Sequence, residues 1–142
     1  MMMWQGGGKR RERLTCNFVG NSKGALIFSQ AVLPGLLKHA EDSSAKYPPT
    51  LIFTGATASV KANTLMSGFA SPKFAMRALA FSIAREFAPK GVHVAHAIID
   101  GEIDIPRTKE WLKDMPAEAK LNADAVSRFV SRGNRQKKHV MC

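Results

Sequence analysis

Apolar and polar positions divide the chain into alternating stretches of helical and extended period. From Asn21 onward, Ala25, Phe28, Val32, Leu36 and Leu37 recur at helix spacing and predict a helix, which Pro34 should kink. A polar segment from Glu41 to Pro49 ends it. Leu51-Ile52-Phe53-Thr54, closing at Gly55, is apolar on both faces and suits a buried parallel strand. After a loop of small residues, a long helix is predicted from Phe69 to Ala88, with Ala75, Leu79, Ile83 and Phe87 in one stripe. Pro89-Lys90-Gly91 stops it. Val92 to Ile99 reads as a second strand, followed by a loop at Asp100-Gly101. Pro106 to Asp114 and Pro116 to Val130 read as two further helices, each with proline near its start.

Helix, strand, helix, strand, helix is the order of a parallel α/β sheet. Two strands alone make a poor parallel sheet, because their edges stay unpaired and the helices lack a floor. The pattern therefore predicts part of a domain. It also predicts an irregular basic segment over residues 1–16, the α/β segment over 17–127 and a basic tail over 128–142.

Charge sharpens this division. The 142 residues carry 21 Lys or Arg against 11 Asp or Glu, a net charge of +10. Residues 1–13 hold a net +3 and residues 128–142 a net +5, leaving only +2 on the 114 residues between. A basic balance invites a nucleic-acid reading, but no aromatic interleaving or helix-turn-helix pattern supports one, and a solvated tail is the ordinary meaning of such runs. Cys16 and Cys142 provide neither a disulfide framework nor a zinc spacing. No apolar run approaches the roughly 20 residues that span a bilayer, and Met1 to Gly8 offers no hydrophobic stretch of the kind expected of a secretory signal. A soluble, cytoplasmic protein is expected.

The informative stretch is Gly68-Phe69-Ala70-Ser71-Pro72-Lys73-Phe74-Ala75-Met76-Arg77-Ala78-Leu79, followed by Ser82 to Phe87 and Gly91-Val92-His93-Val94. It resembles the short-chain dehydrogenase/reductase family, in which Tyr-x-x-x-Lys opens a long helix that leads through a Gly-[Val/Ile]-x-Val strand to a Pro-Gly loop. The resemblance runs from about Asn17 to Val126. It implies the second half of a Rossmann-type fold with a doubly wound parallel sheet.

Several residue roles follow from the resemblance. Lys73 matches the lysine that contacts the nicotinamide ribose and lowers the pKa of the catalytic tyrosine, since an ammonium favours a nearby phenolate. The alternative is a solvated lysine in the first turn of a helix. Phe69 stands where the tyrosine belongs. A phenyl ring has no proton to exchange, and such a group ordinarily contributes roughly 10²–10⁴-fold. The family serine falls on Ala56. The Thr57 hydroxyl, or that of Ser59, could reach a substrate carbonyl; alternatively both satisfy loop backbone. Asn21 matches the asparagine of a proton relay, or else is an ordinary N-cap. Asp100, Gly101 and Ile103 occupy the Pro-Gly-x-[Ile/Val] loop whose backbone meets the nicotinamide, with Asp100 in place of the proline.

Other candidates carry less. Asp100, Glu102 and Asp104 alternate, but with no histidine in the same loop a capped, solvated loop is the expectation rather than a metal site. His93 and His96 are three apart on a strand, so they point to opposite faces and read as structural or surface histidines. Met66, Met76, Met115 and Met141 share no spacing. Gly6-Gly7-Gly8 does not replace the family's glycine-rich turn, since no strand precedes it and Lys9-Arg10-Arg11 follows.

The resemblance thus implies an oxidoreductase that uses NAD or NADP on a small carbonyl or alcohol substrate, truncated and impaired as written. The missing Tyr, Ser and glycine-rich loop leave enzyme activity open. The alternative is a non-catalytic module that forms a homo-oligomer through the two long helices. No membrane partner is expected, and nucleic-acid binding through the tails is the weakest reading.

Overall fold

The computed structural model describes residues 8–133. Gly6, Gly7, Met141, Cys142 and the basic residues Arg135, Lys137 and Lys138 lie outside them. Helical structure begins earlier than the apolar periodicity predicts. Helix α1 spans Gly8–Phe18 and passes through a π-helical turn, Val19–Lys23, into α2, Gly24–Ala40. The expectation of irregular chain up to residue 16 is corrected over 8–16. Arg, Lys, Glu and Leu lose little rotamer freedom in a helix, and Leu14 meets Gly68 in the later helix Ser67–Phe87. Inside the π turn, Gly24 donates its N–H to the Val19 carbonyl. Asn21 lies within this continuous helix, so it is not an N-cap.

Strand β1, Thr50–Ala56, pairs in parallel with β2, His93–Ile99, and α3, Ser67–Phe87, makes the crossover. The register places Phe53 beside His96 and Ala56 beside Ile99. Leu51 and Phe53 point from β1 into a core completed by Leu33 of α2 and Met76, Ala80 and Ile83 of α3. The helical stripes fall slightly off their predicted positions. On α3 the fully buried line runs through Met76, Ala80 and Ile83, with Leu79 and Phe87 half-buried against it. On α2 Ser29 turns inward and Phe28 outward, where it is 58% exposed. Ser29 can be buried because its hydroxyl donates to the Ala25 carbonyl at 2.7 Å.

The region after β2 departs most from the sequence expectation. Glu102–Asp104 is not a loop but a short strand, β3. A four-residue helix, α4, Lys109–Leu112, replaces the longer one predicted from Pro106 to Asp114. Buried Thr108 holds the preceding turn, its hydroxyl donating to the Ile103 carbonyl at 2.5 Å and accepting from the Ile105 N–H at 3.1 Å. Lys120–Asn122 is strand β4, parallel to β3 with Ile103 beside Leu121. Helix α5 starts only at Ala123 and continues to Gly133, so Arg128 and Arg132 lie on a helix. Asn122 sets that start: its side-chain oxygen accepts the Ala125 N–H at 2.9 Å, an N-cap bond.

Gly55 is dictated by His96. A Cβ at residue 55 would stand 2.2 Å from Cε1 and 2.4 Å from Nε2 of the imidazole. Gly55→Ala should therefore overpack the β1–β2 contact and lower stability by about 1–3 kcal/mol. Urea unfolding followed by circular dichroism measures this; a midpoint unchanged from wild type would contradict the packing described.

Candidate functional site

Parallel strands deliver their successors to one edge of the sheet, where crevices form in open α/β sheets. Here Ala56 and Ile99 are paired, so Thr57, opening a 3-10 turn, and Asp100 emerge side by side. The Thr57 hydroxyl donates to Asp100 Oδ1. Around this pair lies a cleft of about 300 Å³, walled by Lys61, Met66, Phe69, Gly101 and Met115 among others. Leu65, before α3, holds a left-handed backbone with φ of 66°, uncommon for a bulky residue. Gly101 has φ of 142°, and a Cβ there would stand 3.0 Å from the Ala119 carbonyl oxygen.

Asn21 and Lys73 meet elsewhere. With Phe28 and Met76 they line a groove of about 370 Å³ along the outer edge of β1, from Leu51 to Thr54. The Lys73 ammonium donates to the Thr54 carbonyl at 3.1 Å. Its nitrogen lies 5.8 Å from the centroid of the Phe69 ring, a cation–ring contact one helical turn along α3. Burial holds the Lys73 pKa below the ordinary lysine value. Asn21 donates its amide to the Asn17 carbonyl at 3.1 Å, and neighbouring Ser22 donates to the Pro72 carbonyl at 3.1 Å, tying the π turn to α3.

The candidate residues thus fall into two groups. Thr57, Asp100 and Gly101 share the cleft; Asn21 and Lys73 share the groove. Ile103 sits half-buried in β3 beside Leu121. Phe69 joins the two groups, lining the cleft while its ring faces Lys73. Sequence reasoning missed the Thr57–Asp100 bond. The signal was available in the two strand ends, since pairing Gly55 with Ile98 fixes which loop residues become neighbours. It also found no common spacing that would single out Met66 and Met115, although both wall the cleft. Among the described residues, no three His, Cys, Asp or Glu side chains converge as a metal site would require.

No family model matches the sequence, and no curated protein matches it. Solved structures do. A short-chain dehydrogenase from Rhodopseudomonas palustris is 28% identical, with a TM-score of 0.54 over 78% of this chain and 51% of its own. An oxidoreductase of the short-chain dehydrogenase/reductase family from Burkholderia thailandensis is 15% identical, with a TM-score of 0.60 over 80% of this chain and 40% of its own. A short-chain dehydrogenase from Streptomyces avermitilis is 16% identical, with a TM-score of 0.53 over 84% and 56%. The fold is a partial Rossmann-like one, similar to theirs. The chain spans about half the length of these short-chain dehydrogenase/reductase neighbours.

A Rossmann-like fold holds a dinucleotide by its pyrophosphate, on backbone N–H groups at a glycine-rich turn from strand to helix. Among the described residues the glycines with positive φ are Gly91 and Gly101. Gly91 follows α3 and leads into a strand; Gly101 lies between two strands. Neither opens a helix. The Lys73 ammonium is bonded to the Thr54 carbonyl. The described residues do not fit the pyrophosphate half of a dinucleotide.

Lys73 carries a testable consequence. Its lowered pKa means that the unfolded chain binds this proton more readily than the folded one. The ammonium therefore costs stability at neutral pH, and the cost disappears as pH rises through the folded-state value toward 10.5. Lys73→Met removes that cost along with one hydrogen bond, itself worth about 1 kcal/mol. The variant should match wild type closely at pH 7 and lose ground to it at pH 10, as read from paired urea midpoints.

Proposed function

We propose that the chain is an oxidoreductase module of the short-chain dehydrogenase/reductase type, by descent dependent on NAD or NADP and acting on a small carbonyl or alcohol in the cytoplasm. In this reading it supplies one half of such a domain, the half that carries the Tyr-x-x-x-Lys helix, and is catalytically impaired as written. The observation that carries the reading is Phe69, one turn before Lys73 on α3 and in the wall of the cleft that holds Thr57 and Asp100. Position and helix agree with the family pattern while the proton-exchanging group is gone. The length of the neighbours and the outer edge of β1, along which the groove runs, support the half-domain part.

The residues around the cleft have limited chemistry. Thr57 directs its proton to Asp100, so in this arrangement it has none to offer a carbonyl. Phe69, Met66 and Met115 supply apolar walls. These groups can bind and orient a small ligand, whereas stabilising a developing alkoxide needs a donor aimed at it.

Purified full-length chain should give no micromolar quenching of NADPH fluorescence and no carbonyl reduction. Phe69→Tyr alone should not restore turnover, because a phenol does not supply the pyrophosphate site. Micromolar quenching with turnover in the wild-type chain would overturn the impairment.

A second reading is a non-catalytic homo-oligomerisation module. It is favoured by the outward faces of α2 and α3, where Leu26, Ile27, Phe28 and Phe74 are 43%, 53%, 58% and 42% exposed. Exposed large apolar side chains in such number are what an interaction site would use. Sedimentation should then show a dimer or larger species, dispersed by Ile27→Glu with Phe28→Glu; a monomer at high concentration would end this reading.

A further inference from the structure

His96 occupies an unusual position for an ionisable group. Only 8% of it is exposed, and among the described residues neither ring nitrogen has a hydrogen-bond partner. The ring lies over Gly55, in the space that any side chain there would take. The charges that act on it are of one sign. From α3 come Lys73 and Arg77, one turn apart and so on one face. Lys73 is bonded to Thr54 O, while Arg77 reaches toward the Ser59 carbonyl at 3.4 Å, with its own Nε buried and unpartnered. β1 faces His96 with Phe53 and Gly55, and the 3-10 turn brings buried Ser59, none of which ionises near neutrality. The buried residues of α2, Ser29 and Leu33, do not ionise. His93 of the same strand falls on the opposite face.

A neutral imidazole is tolerated here at the cost of two unmade hydrogen bonds. An imidazolium is not, because it adds a buried positive charge beside two others and a second N–H with no acceptor. We propose that His96 is an acid-operated latch: on taking up a proton, its ring leaves the space over Gly55 and parts β1 and β2 from α3. The proton comes from solvent and no covalent bond changes. The end released is the one that carries Thr54 to Thr57, so acidification dismantles both the Lys73–Thr54 bond and the Thr57–Asp100 cleft. This inference stands on the packing of the sheet and does not depend on the oxidoreductase reading.

The direction of the pH response follows from burial first, then Arg77 and Lys73, all of which hold the His96 pKa below 6.5. The unfolded chain binds the proton more readily, so the contribution of neutral His96 is complete above pH 6.5. It is lost as pH falls from 6.5 toward the folded-state value, by about tenfold in the folding equilibrium per pH unit.

The test uses the full-length chain and amide hydrogen exchange of the 50–56 and 93–99 segments between pH 7.5 and 5, corrected for intrinsic exchange rates. Wild type should lose protection about tenfold per pH unit below 6.5. His96→Gln should lose markedly less, and Arg77→Met should fall between them because one facing cation is gone. Equal loss in wild type and His96→Gln, or no loss in wild type, would overturn the latch. Should His96→Gln fail to fold, NMR titration of the wild-type His96 ring decides instead. A ring that titrates in the folded chain at 6.5 or above would overturn the proposal, and one still neutral when the sheet opens would support it.

Discussion

When Phe53 pairs with His96 in parallel register, the imidazole falls where a residue-55 side chain would begin, and Gly55 is what lets the two strands approach. Much of the structure depends on that contact. It fixes Ala56 beside Ile99, hence Thr57 beside Asp100, hence the cleft. It also fixes the floor on which α3 lies, since Phe53 packs in one cluster with Met76, Ala80 and Ile83. A shift of the pairing by one residue would turn every inward side chain of one strand to the other face. Leu51 and Phe53 would leave the core, and the imidazole would no longer coincide with the residue that has no side chain. The apolar pattern and the glycine thus select the same register from two directions.

This arrangement concentrates cations on the inner face of α3. In the family that the sequence resembles, a lysine at the place of Lys73 has a phenol and a cofactor to address. Here Lys73 has a backbone carbonyl and the face of a phenyl ring. Both are weak partners for an ammonium: the carbonyl offers one neutral hydrogen bond, and cation–ring attraction is worth about 0.5–2 kcal/mol depending on desolvation. Arg77 is similarly placed, with Phe81 5.0 Å from its guanidinium and its Nε unpartnered. The long aliphatic stems of both residues can still contribute packing. That is a physical reason for a polar helix face to sit against this sheet.

The fold was legible where period and punctuation agreed. The run from Leu51 to Gly55, the stretch from Phe69 to Ala88 and the strand before Asp100 are each bounded by Gly or Pro, and each appears within a few residues of its expected limits. It was illegible where charge masked helix propensity, as at Lys9 to Arg13, and where strands were three residues long. A strand such as Lys120–Asn122 is too short to display a period, and its pairing with Glu102–Asp104 is a tertiary fact. The capping role of Asn122 was readable in principle, but Pro116 offered a competing helix start. At the candidate site, residue types could be read but their grouping could not. Asn21 and Lys73 part from Thr57 and Asp100 because β1 presents its outer edge to one pair and its C-terminal end to the other.

The residues that build the fold are not those that would perform the chemistry. Leu33, Leu51, Phe53, Met76, Ala80 and Ile83 need only apolar volume and the right period. Phe69 is separate from that packing: it is 37% exposed at the cleft, so a change of ring chemistry there leaves the central packing intact. Histidine at residue 96 is the opposite case. A polar ring without partners, above a glycine that can be nothing larger, constrains the sheet and offers the cleft no direct chemistry. Similarity of fold therefore says little about activity in this chain, because the packing constraint and the reacting group reside in different side chains and respond to different substitutions.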